Sequence, residues 1–339
     1  MKIEGREIGA GRPPYIVADI GAAHNGDLTR ALRLIELAHW AGADAVKFQA
    51  FTPEGDTIDC DRPEFIIQSG PWQGRRLYDL YIETHTPRGW FPKLFKHAKY
   101  LGITAFATAD TIDDWNFLHS IGNPVTKISS FEIAHIPLIQ HASSHGGPMI
   151  LSLGTASTEE LVDAYHACDT EPVLLHCVSE YPAPIDKMNL RRIANLGCGF
   201  PFVGLSDHSL GSVAPVMATA LGACMIEKHL TVSRADGGPD DVFASEPHEF
   251  KLMVKEVRSA HAALGDGLPK SNNDARTLRP SIRAVKDIST GEQFTLENVR
   301  IIRPGGGLPP IEWNRLLACR SAGPIERGEA IQREMVQSS

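Results

Sequence analysis

Phe202-Val203-Gly204-Leu205-Ser206-Asp207-His208 and Cys224-Met225-Ile226-Glu227-Lys228-His229-Leu230 are two apolar runs, each with a histidine at or next to its end. Between them, residues 211–223 read as a short, tightly packed helix. Strand, helix and strand in this order make one βαβ step, which puts both carboxyl ends on the same edge of a parallel sheet. Neighbouring parallel strands lie about 4.8 Å apart, so the imidazoles of His208 and His229 can reach a single metal ion. Neutral imidazole is the commonest metal ligand, and the adjoining Asp207 and Glu227 supply oxygens to bind the ion or orient its ligands. Either histidine alone reads more simply as a satisfied core residue. Matched placement on consecutive strands, each beside a carboxylate, favours the metal site.

The same alternation continues towards the N-terminus. Strands are expected over 15–21, 45–51, 103–109, 125–130, 148–154, 172–179, 202–208 and 224–230, each followed by a helical stretch. The first helix, 27–42, carries Leu28, Ala31, Leu32, Ile35 and Ala38 at helical spacing and stops at glycine. The last, 246–265, follows a Ser245 cap with Pro247 in its first turn. Eight such units predict an α/β fold, a (β/α)8 barrel that leaves no open strand edge. Two connections, 52–86 and 231–245, are long enough to form lids or substrate walls over the carboxyl ends of the strands. The alternation stops near Leu268, giving a barrel domain over 1–268, a polar linker over 269–280 and a small strand-rich domain over 281–339.

With 339 residues the chain suits a barrel of about 250 residues plus an appended domain. Hydrophobic residues make up 42% and charged residues 22%, enough to bury a large core. A net charge of −8 argues against a nucleic-acid partner but not against an anionic substrate, which local lysines and arginines decide. The six cysteines are widely spaced with no CxxC pair, and Cys177 and Cys224 sit in apolar runs as small hydrophobes. No apolar leader core or membrane-length run is present, so a reducing, cytoplasmic setting without a membrane partner is expected.

The strand ends collect polar groups: Asp19, Lys47, Gln49, Thr108, Lys127, Ser130, Glu132, Ser152, Ser179 and Tyr181. Charges inside apolar runs are costly unless paired or facing a polar cavity. One lysine there is more often an ion-pair partner; two lysines and three hydroxyls on one rim suggest a phosphate and carboxylate pocket. Lys127 also has a reading as the Schiff-base nucleophile of a barrel aldolase. In His24-Asn25-Gly26, Asn25 caps the first helix or the turn touches substrate. His176 reads as structural, and His85 as a cap or a wall of the second connection.

Ala18-Asp19-Ile20-Gly21, His24-Asn25-Gly26, Val46-Lys47-Phe48-Gln49, Lys127-Ile128-Ser129-Ser130-Phe131-Glu132, Ser206-Asp207-His208-Ser209-Leu210-Gly211 and Ile226-Glu227-Lys228-His229 resemble, in order and spacing, the sialic acid (nonulosonate) synthases. The resemblance covers nearly the whole chain and implies a TIM barrel with a C-terminal antifreeze-like (SAF) domain. It implies condensation of phosphoenolpyruvate with an open-chain acylamino-hexose, giving a nine-carbon 2-keto acid and phosphate. A divalent ion, Mn2+ or Mg2+, would sit on His208 and His229. Phosphoenolpyruvate maps onto Lys47, Thr108, Lys127, Ser130, Ser152 and Ser206, and Gln49, Glu132 and Tyr181 onto the sugar or the reacting centre. Asp19, Lys47, Lys127, Glu132 and Glu227 carry the expected catalytic roles, and Ser179 and Asp207 further substrate contacts. Arg303 matches an arginine that reaches into a partner's barrel, implying a domain-swapped homodimer.

Phe131 before Glu132, and Cys177-Val178-Ser179-Glu180-Tyr181-Pro182-Ala183-Pro184 with Ser179 where neuraminate synthases carry Asn, look like the pseudaminate branch. So do Gly74-Arg75-Arg76-Leu77-Tyr78-Asp79-Leu80-Tyr81 and Thr84-His85-Thr86-Pro87. The alternatives are an N-acetylneuraminate or legionaminate synthase, a synthase for a phosphorylated sugar, and a low-activity, sugar-binding homologue in surface-glycan assembly. Asp19 stands where the family usually has glutamate, so a bridging water is expected to complete its reach. Gly305-Gly306-Gly307 is expected to loosen the loop after Arg303.

Overall fold

The computed structural model describes residues 1–268 and 273–338. The chain divides into two compact units, Met1–Gly265 and Asp266–Ser339. In the first, eight strands form a closed parallel barrel: β1 (Tyr15–Asp19), β2 (Ala45–Gln49), β3 (Thr104–Thr108), β4 (Thr126–Ile128), β5 (Met149–Ser152), β6 (Val173–Cys177), β7 (Val203–Asp207) and β8 (Met225–His229). They run in sequence order, and β8 closes the ring on β1 with His229 opposite Asp19.

Alternation along each strand sorts the side chains. Ile16, Ala18, Val46, Phe48, Ile128, Leu151, Leu174, Leu205 and Ile226 face the helices in one apolar cluster. Tyr15, Val17, Ala45, Phe106, Val125, Ile150, Val173, Leu175 and Met225 fill the barrel floor, joined by Ile3 and Ile8 of a short N-terminal hairpin, Lys2–Ile3 with Arg6–Glu7. Inward positions nearer the carboxyl ends carry the polar residues. A purely apolar stack therefore supports a polar rim.

The first helix spans Leu28–Ala41; its cap is Asp27, whose side chain accepts from the Thr29 amide, rather than Asn25. Asn25 instead donates to Asp241, tying this turn to the β8 connection. Between β7 and β8 the helix is Val213–Ala220. The last barrel helix, Pro247–Leu264, starts from a Glu246–Glu249 capping box rather than from Ser245.

The 52–86 connection is not an open loop. It holds helices Pro53–Asp56 and Leu77–Thr84 and a 3-10 turn at Pro63–Phe65, the proline-led turns starting at fixed φ and Leu80 giving the second helix a buried anchor. Trp72 within it donates to the Pro239 carbonyl at 3.1 Å, joining the β2 and β8 connections. Among the described residues, no helix is long and apolar enough to cross a membrane.

In the second unit, residues 269–272 of the expected linker and residue 339 lie outside the described residues, and Asn273–Arg276 forms one helical turn. Two antiparallel pairs, Ser281–Ala284 with Val299–Ile302 and Cys319–Ser321 with Val336–Ser338, surround a core that includes Ile282, Phe294, Leu316 and Ile331. The glycine run after Arg303 is held rather than loose. The Arg283 guanidinium donates to the carbonyls of Pro304 and Gly305 at 2.9 and 2.7 Å, and a Cβ on Gly307 would lie 2.7 Å from the Ile282 carbonyl. These glycines allow close packing, which sequence alone reads as freedom.

Candidate active site

At the carboxyl ends of the barrel strands lies a cavity of about 940 Å3. Asp19, Lys47, Gln49, Thr108, Lys127, Ser152, Ser206, Glu227 and His229 project into it from seven of the eight strands, each at an inward position above the apolar floor. Ser130, Glu132, Ser179, Tyr181 and His208 reach it from just beyond the strand ends.

Two buried lysines organise the base of the pocket. Lys47 Nζ lies 2.8 Å from Asp19 Oδ2 and 3.7 Å from Glu227 Oε1. Lys127 Nζ donates to Ser152 Oγ at 2.8 Å and to the Ile128 carbonyl at 3.1 Å, 4.0 Å from the same Glu227 oxygen. Ser206 Oγ donates to Glu227 Oε1 at 3.0 Å, while Glu227 Oε2 is buried without a partner. Burial alone would lower Lys47, but Asp19 and Glu227 more than reverse this and hold it well above the usual lysine range. Burial would likewise raise Asp19, yet His229 and Lys47 hold its carboxyl at about 2. For Lys127 burial prevails, reinforced by Lys47, and its affinity for a proton falls below the ordinary lysine value. An incoming dianion would reverse that shift.

Hydroxyls line the side next to Lys127. Ser130 Oγ and Ser179 Oγ lie 2.8 Å apart, and Thr155 Oγ1 donates to the Ser130 carbonyl. Gly154 keeps the neighbouring backbone clear, since a Cβ there would lie 2.2 Å from Ser179 Oγ.

His208 and His229 face each other with ring centroids 5.6 Å apart, and Tyr181 packs 4.3 Å from His208. His208 Nδ1 donates to the Val178 carbonyl at 2.8 Å, which leaves Nε2 of the neutral ring as a bare lone pair. Burial, and then His229, lowers His208 to about 4, so the neutral form prevails. His229 Nε2 lies 3.3 Å from Asp19 Oδ2; its Nδ1 is buried without a partner, with Asp240 Oδ2 3.8 Å away. Gly21 makes that approach possible at φ 47°, because a Cβ would meet Asp240 Oδ2 at 2.4 Å. Two facing imidazoles, one with an orphaned ring nitrogen, and nearby carboxylates are donors that can hold a divalent cation. Among the described residues no three His, Cys, Asp or Glu side chains already converge as a ligand sphere, so water and substrate oxygens would have to complete it.

The opposite wall is acidic. Burial, followed by Asp110, raises Glu132 to about 8, and the same causes in the same order raise Asp56 to about 8. Burial and Asp114 lift Asp110 to about 6, and its Oδ1 is buried without a partner. Ser129 Oγ donates to Glu132. Trp72 and Phe243 roof the cavity, with ring centroids 5.7 and 5.0 Å from that of Tyr181.

Most of the expected site residues of the barrel converge here, with one exception. Asp207 does not line the cavity; one position before an inward histidine, it faces the helix layer and pairs with Lys228 at 2.5 Å. Arg303 is exposed on the second unit. Asp19 Oδ2 lies 2.8 Å from Lys47 Nζ and 3.3 Å from His229 Nε2. His24 is buried against Thr86, and His176 Nε2 donates to the Met188 carbonyl at 2.7 Å on the helix side of β6. Sequence reading missed Asp56, Asp110, Trp72, Asp240 and Phe243. Asp110, two residues beyond Thr108, was open to discovery by extending β3; the others lie in the two long connections, where no periodicity points inward.

The sequence profile of the NeuB family matches residues 34–269, and that of the SAF domain matches residues 279–337. The chain belongs to the NeuB family. It is 39% identical to a pseudaminic acid synthase of Campylobacter jejuni over 94% of this chain and 95% of that protein. It is 32% identical to an N,N'-diacetyllegionaminic acid synthase of Legionella pneumophila, over 96% and 95%. A crystal structure of an N-acetylneuraminic acid synthetase from Leptospira borgpetersenii, in complex with citrate, superposes with a TM-score of 0.73 at 33% identity, covering 81% of this chain and 93% of that one. This NeuB-family chain is therefore an enzyme of the synthase class, a (β/α)8 barrel with a C-terminal SAF domain.

Proposed function

We propose that this nonulosonate synthase condenses phosphoenolpyruvate with an open-chain 2,4-diacetamido-trideoxyhexose to give a pseudaminic-type acid and phosphate. The observation that carries the reading is the pairing of two buried lysines and a ring of hydroxyls with two facing imidazoles in one cavity. Lys47 and Lys127, with Thr108, Ser130, Ser152 and Ser206, hold the phosphate and carboxylate, preorganised donors for charge that changes during reaction. C3 of the enol attacks the aldehyde carbon, whose oxygen takes up a proton; cationic character develops at C2, water adds there with loss of a proton, and phosphate departs by C–O cleavage as the C2 hydroxyl gives up its proton to form the ketone. Glu227, with its unpartnered Oε2, faces the C2 position and stabilises that charge. Asp19 is the ionised carboxylate beside it that accepts the proton of the added water. A divalent ion on His208 and His229 would supply Lewis-acid polarisation of the aldehyde oxygen. The acidic wall and the Trp72–Tyr181–Phe243 roof hold the sugar, with Gln49 at its edge.

The higher identity to a pseudaminate than to a legionaminate synthase, together with Phe131 and Ser179, favours the pseudaminate sugar. Arg303 from a partner's second unit completes the sugar site in a homodimer. The test is phosphate release from phosphoenolpyruvate with Mn2+ and one of three sugars: 2,4-diacetamido-2,4,6-trideoxy-L-altrose, its D-mannose counterpart or N-acetylmannosamine. Release with the altrose sugar alone is expected. Release with another sugar reassigns the product, and none with any of them from folded protein refutes the synthase reading in favour of a sugar-binding role.

A further inference from the structure

Asp207 and Lys228 are a buried ion pair that the chemistry above does not use. They are 1% and 3% exposed and stand opposite each other in the β7–β8 register. Alternation turns both towards the helices, while the residue that follows each, His208 just beyond β7 and His229 at the end of β8, turns into the cavity. Asp207 Oδ1 accepts from the Ser209 amide at 2.9 Å and from its hydroxyl at 2.7 Å, and Oδ2 accepts from Lys228 Nζ at 2.5 Å. Lys228 Nζ also donates to the Ser209 carbonyl at 2.5 Å. The residues on either side of His208 are thus clamped to the residue before His229.

We propose that Asp207, Lys228 and Ser209 are positioning residues that set the separation and orientation of the two imidazoles for a divalent cation. The inference rests on the metal reading above. His208 is anchored at Val178, while the His229 ring has Asp19 beside Nε2 and no partner at Nδ1, so its place depends also on the backbone of β8. Stability does not demand the pair: two charges taken from water cost several kcal/mol each, and apolar side chains of similar volume are often as stable. What an apolar pair lacks is direction. Four bonds converging on Asp207 and Lys228 fix β7 against β8 at the level of the histidines, so a small slip there would change the distance between the rings.

The test is the double variant Asp207→Asn with Lys228→Met, which removes both charges at nearly constant volume. Mn2+ affinity, measured by electron paramagnetic resonance of the free ion, is expected to weaken about 10- to 100-fold, the range for residues that orient metal ligands. Phosphoenolpyruvate binding measured by calorimetry without metal should stay at the wild-type value. A purely structural role would lower the melting temperature and leave Mn2+ affinity unchanged, which overturns the proposal. If the double variant does not fold, Ser209→Ala keeps both charges paired and should still weaken Mn2+ about threefold, the equivalent of one modest hydrogen bond. No change there overturns the proposal equally. Wild-type protein that binds no Mn2+ would instead remove the metal reading itself, and the positioning role with it.

Discussion

Replacing Lys47 with methionine removes one ammonium and keeps the buried stem. At 2.8 Å and 3.7 Å, Lys47 attracts the Asp19 and Glu227 carboxylates by roughly 6 and 4 kcal/mol at an effective dielectric of about 20. Desolvation offsets most of this, but leaving buried charges without their partner costs about 3–5 kcal/mol. Part of that cost is escaped by protonation, so the Asp19 carboxyl rises from about 2. A carboxyl whose pKa falls from 3.8 to about 2 on folding contributes stability that is present above pH 3.8 and lost as pH falls through 2, worth roughly 2 kcal/mol at neutrality. The variant should therefore melt several degrees below wild type at pH 7, with the gap closing as pH falls from about 4 towards 2. The same ammonium would hold the phosphate dianion, and losing one such donor costs about 10²–10³ in rate, or roughly 2.7–4 kcal/mol. Phosphate release at saturating sugar and varied phosphoenolpyruvate gives kcat/KM directly. A folded variant that stays within about threefold of wild type would refute both the placement of the substrate phosphate and the electrostatic argument.

Asp110→Asn should raise the KM for the sugar about 10- to 100-fold, the worth of one charged hydrogen bond, and leave that for phosphoenolpyruvate unchanged; equal losses for both substrates would show that the acidic wall is not a sugar wall. Glu132, raised to about 8 from 4.5, favours folding fully below pH 4.5, and that contribution is lost as pH rises through 8. Glu132→Gln should therefore melt higher than wild type at pH 9 and no higher at pH 4.5, as differential scanning fluorimetry at the two values would show. Lys127 has the lowered proton affinity a Schiff-base nucleophile needs, but phosphate chemistry requires no imine. Borohydride added during turnover should leave its mass unchanged, whereas a trapped adduct at Lys127 would restore the aldolase reading.

The barrel was legible because its signal is repetitive. Eight apolar runs with matched helices constrain one another, and the polar residues at their ends, from Asp19 to His229, could only gather at one rim. Asp207 shows where that reasoning fails: in a parallel barrel both faces are buried, so an apolar run does not reveal which of two adjacent polar residues turns inward. His208 and His229 were separated from Asp207 and Lys228 only by the phase of the pleat, which the structure fixes through β1 and the floor residues. The connections were harder still. Pro53–Asp56 and Leu77–Thr84 are too short for a persuasive helical period, and Trp72 owes its place to a bond with Pro239 some 167 residues away.

Under the proposed function a chain of net charge −8 must hold an anion. The base of the pocket is balanced rather than positive: Lys47 and Lys127 face Asp19 and Glu227, and without substrate the lysines are partly spent on those carboxylates. A phosphate and a carboxylate arriving there must displace part of that pairing, and each step of displacement alters a proton affinity. In the proposed reaction Lys127 gains as the dianion approaches, while Asp19 loses cationic support as positive charge develops at C2. A pocket built from lysines alone would bind the substrate more tightly but would offer the developing cation nothing. Stabilisation that grows along the proposed reaction requires a carboxylate that is present and already ionised, a condition that Lys47 helps to impose on Asp19.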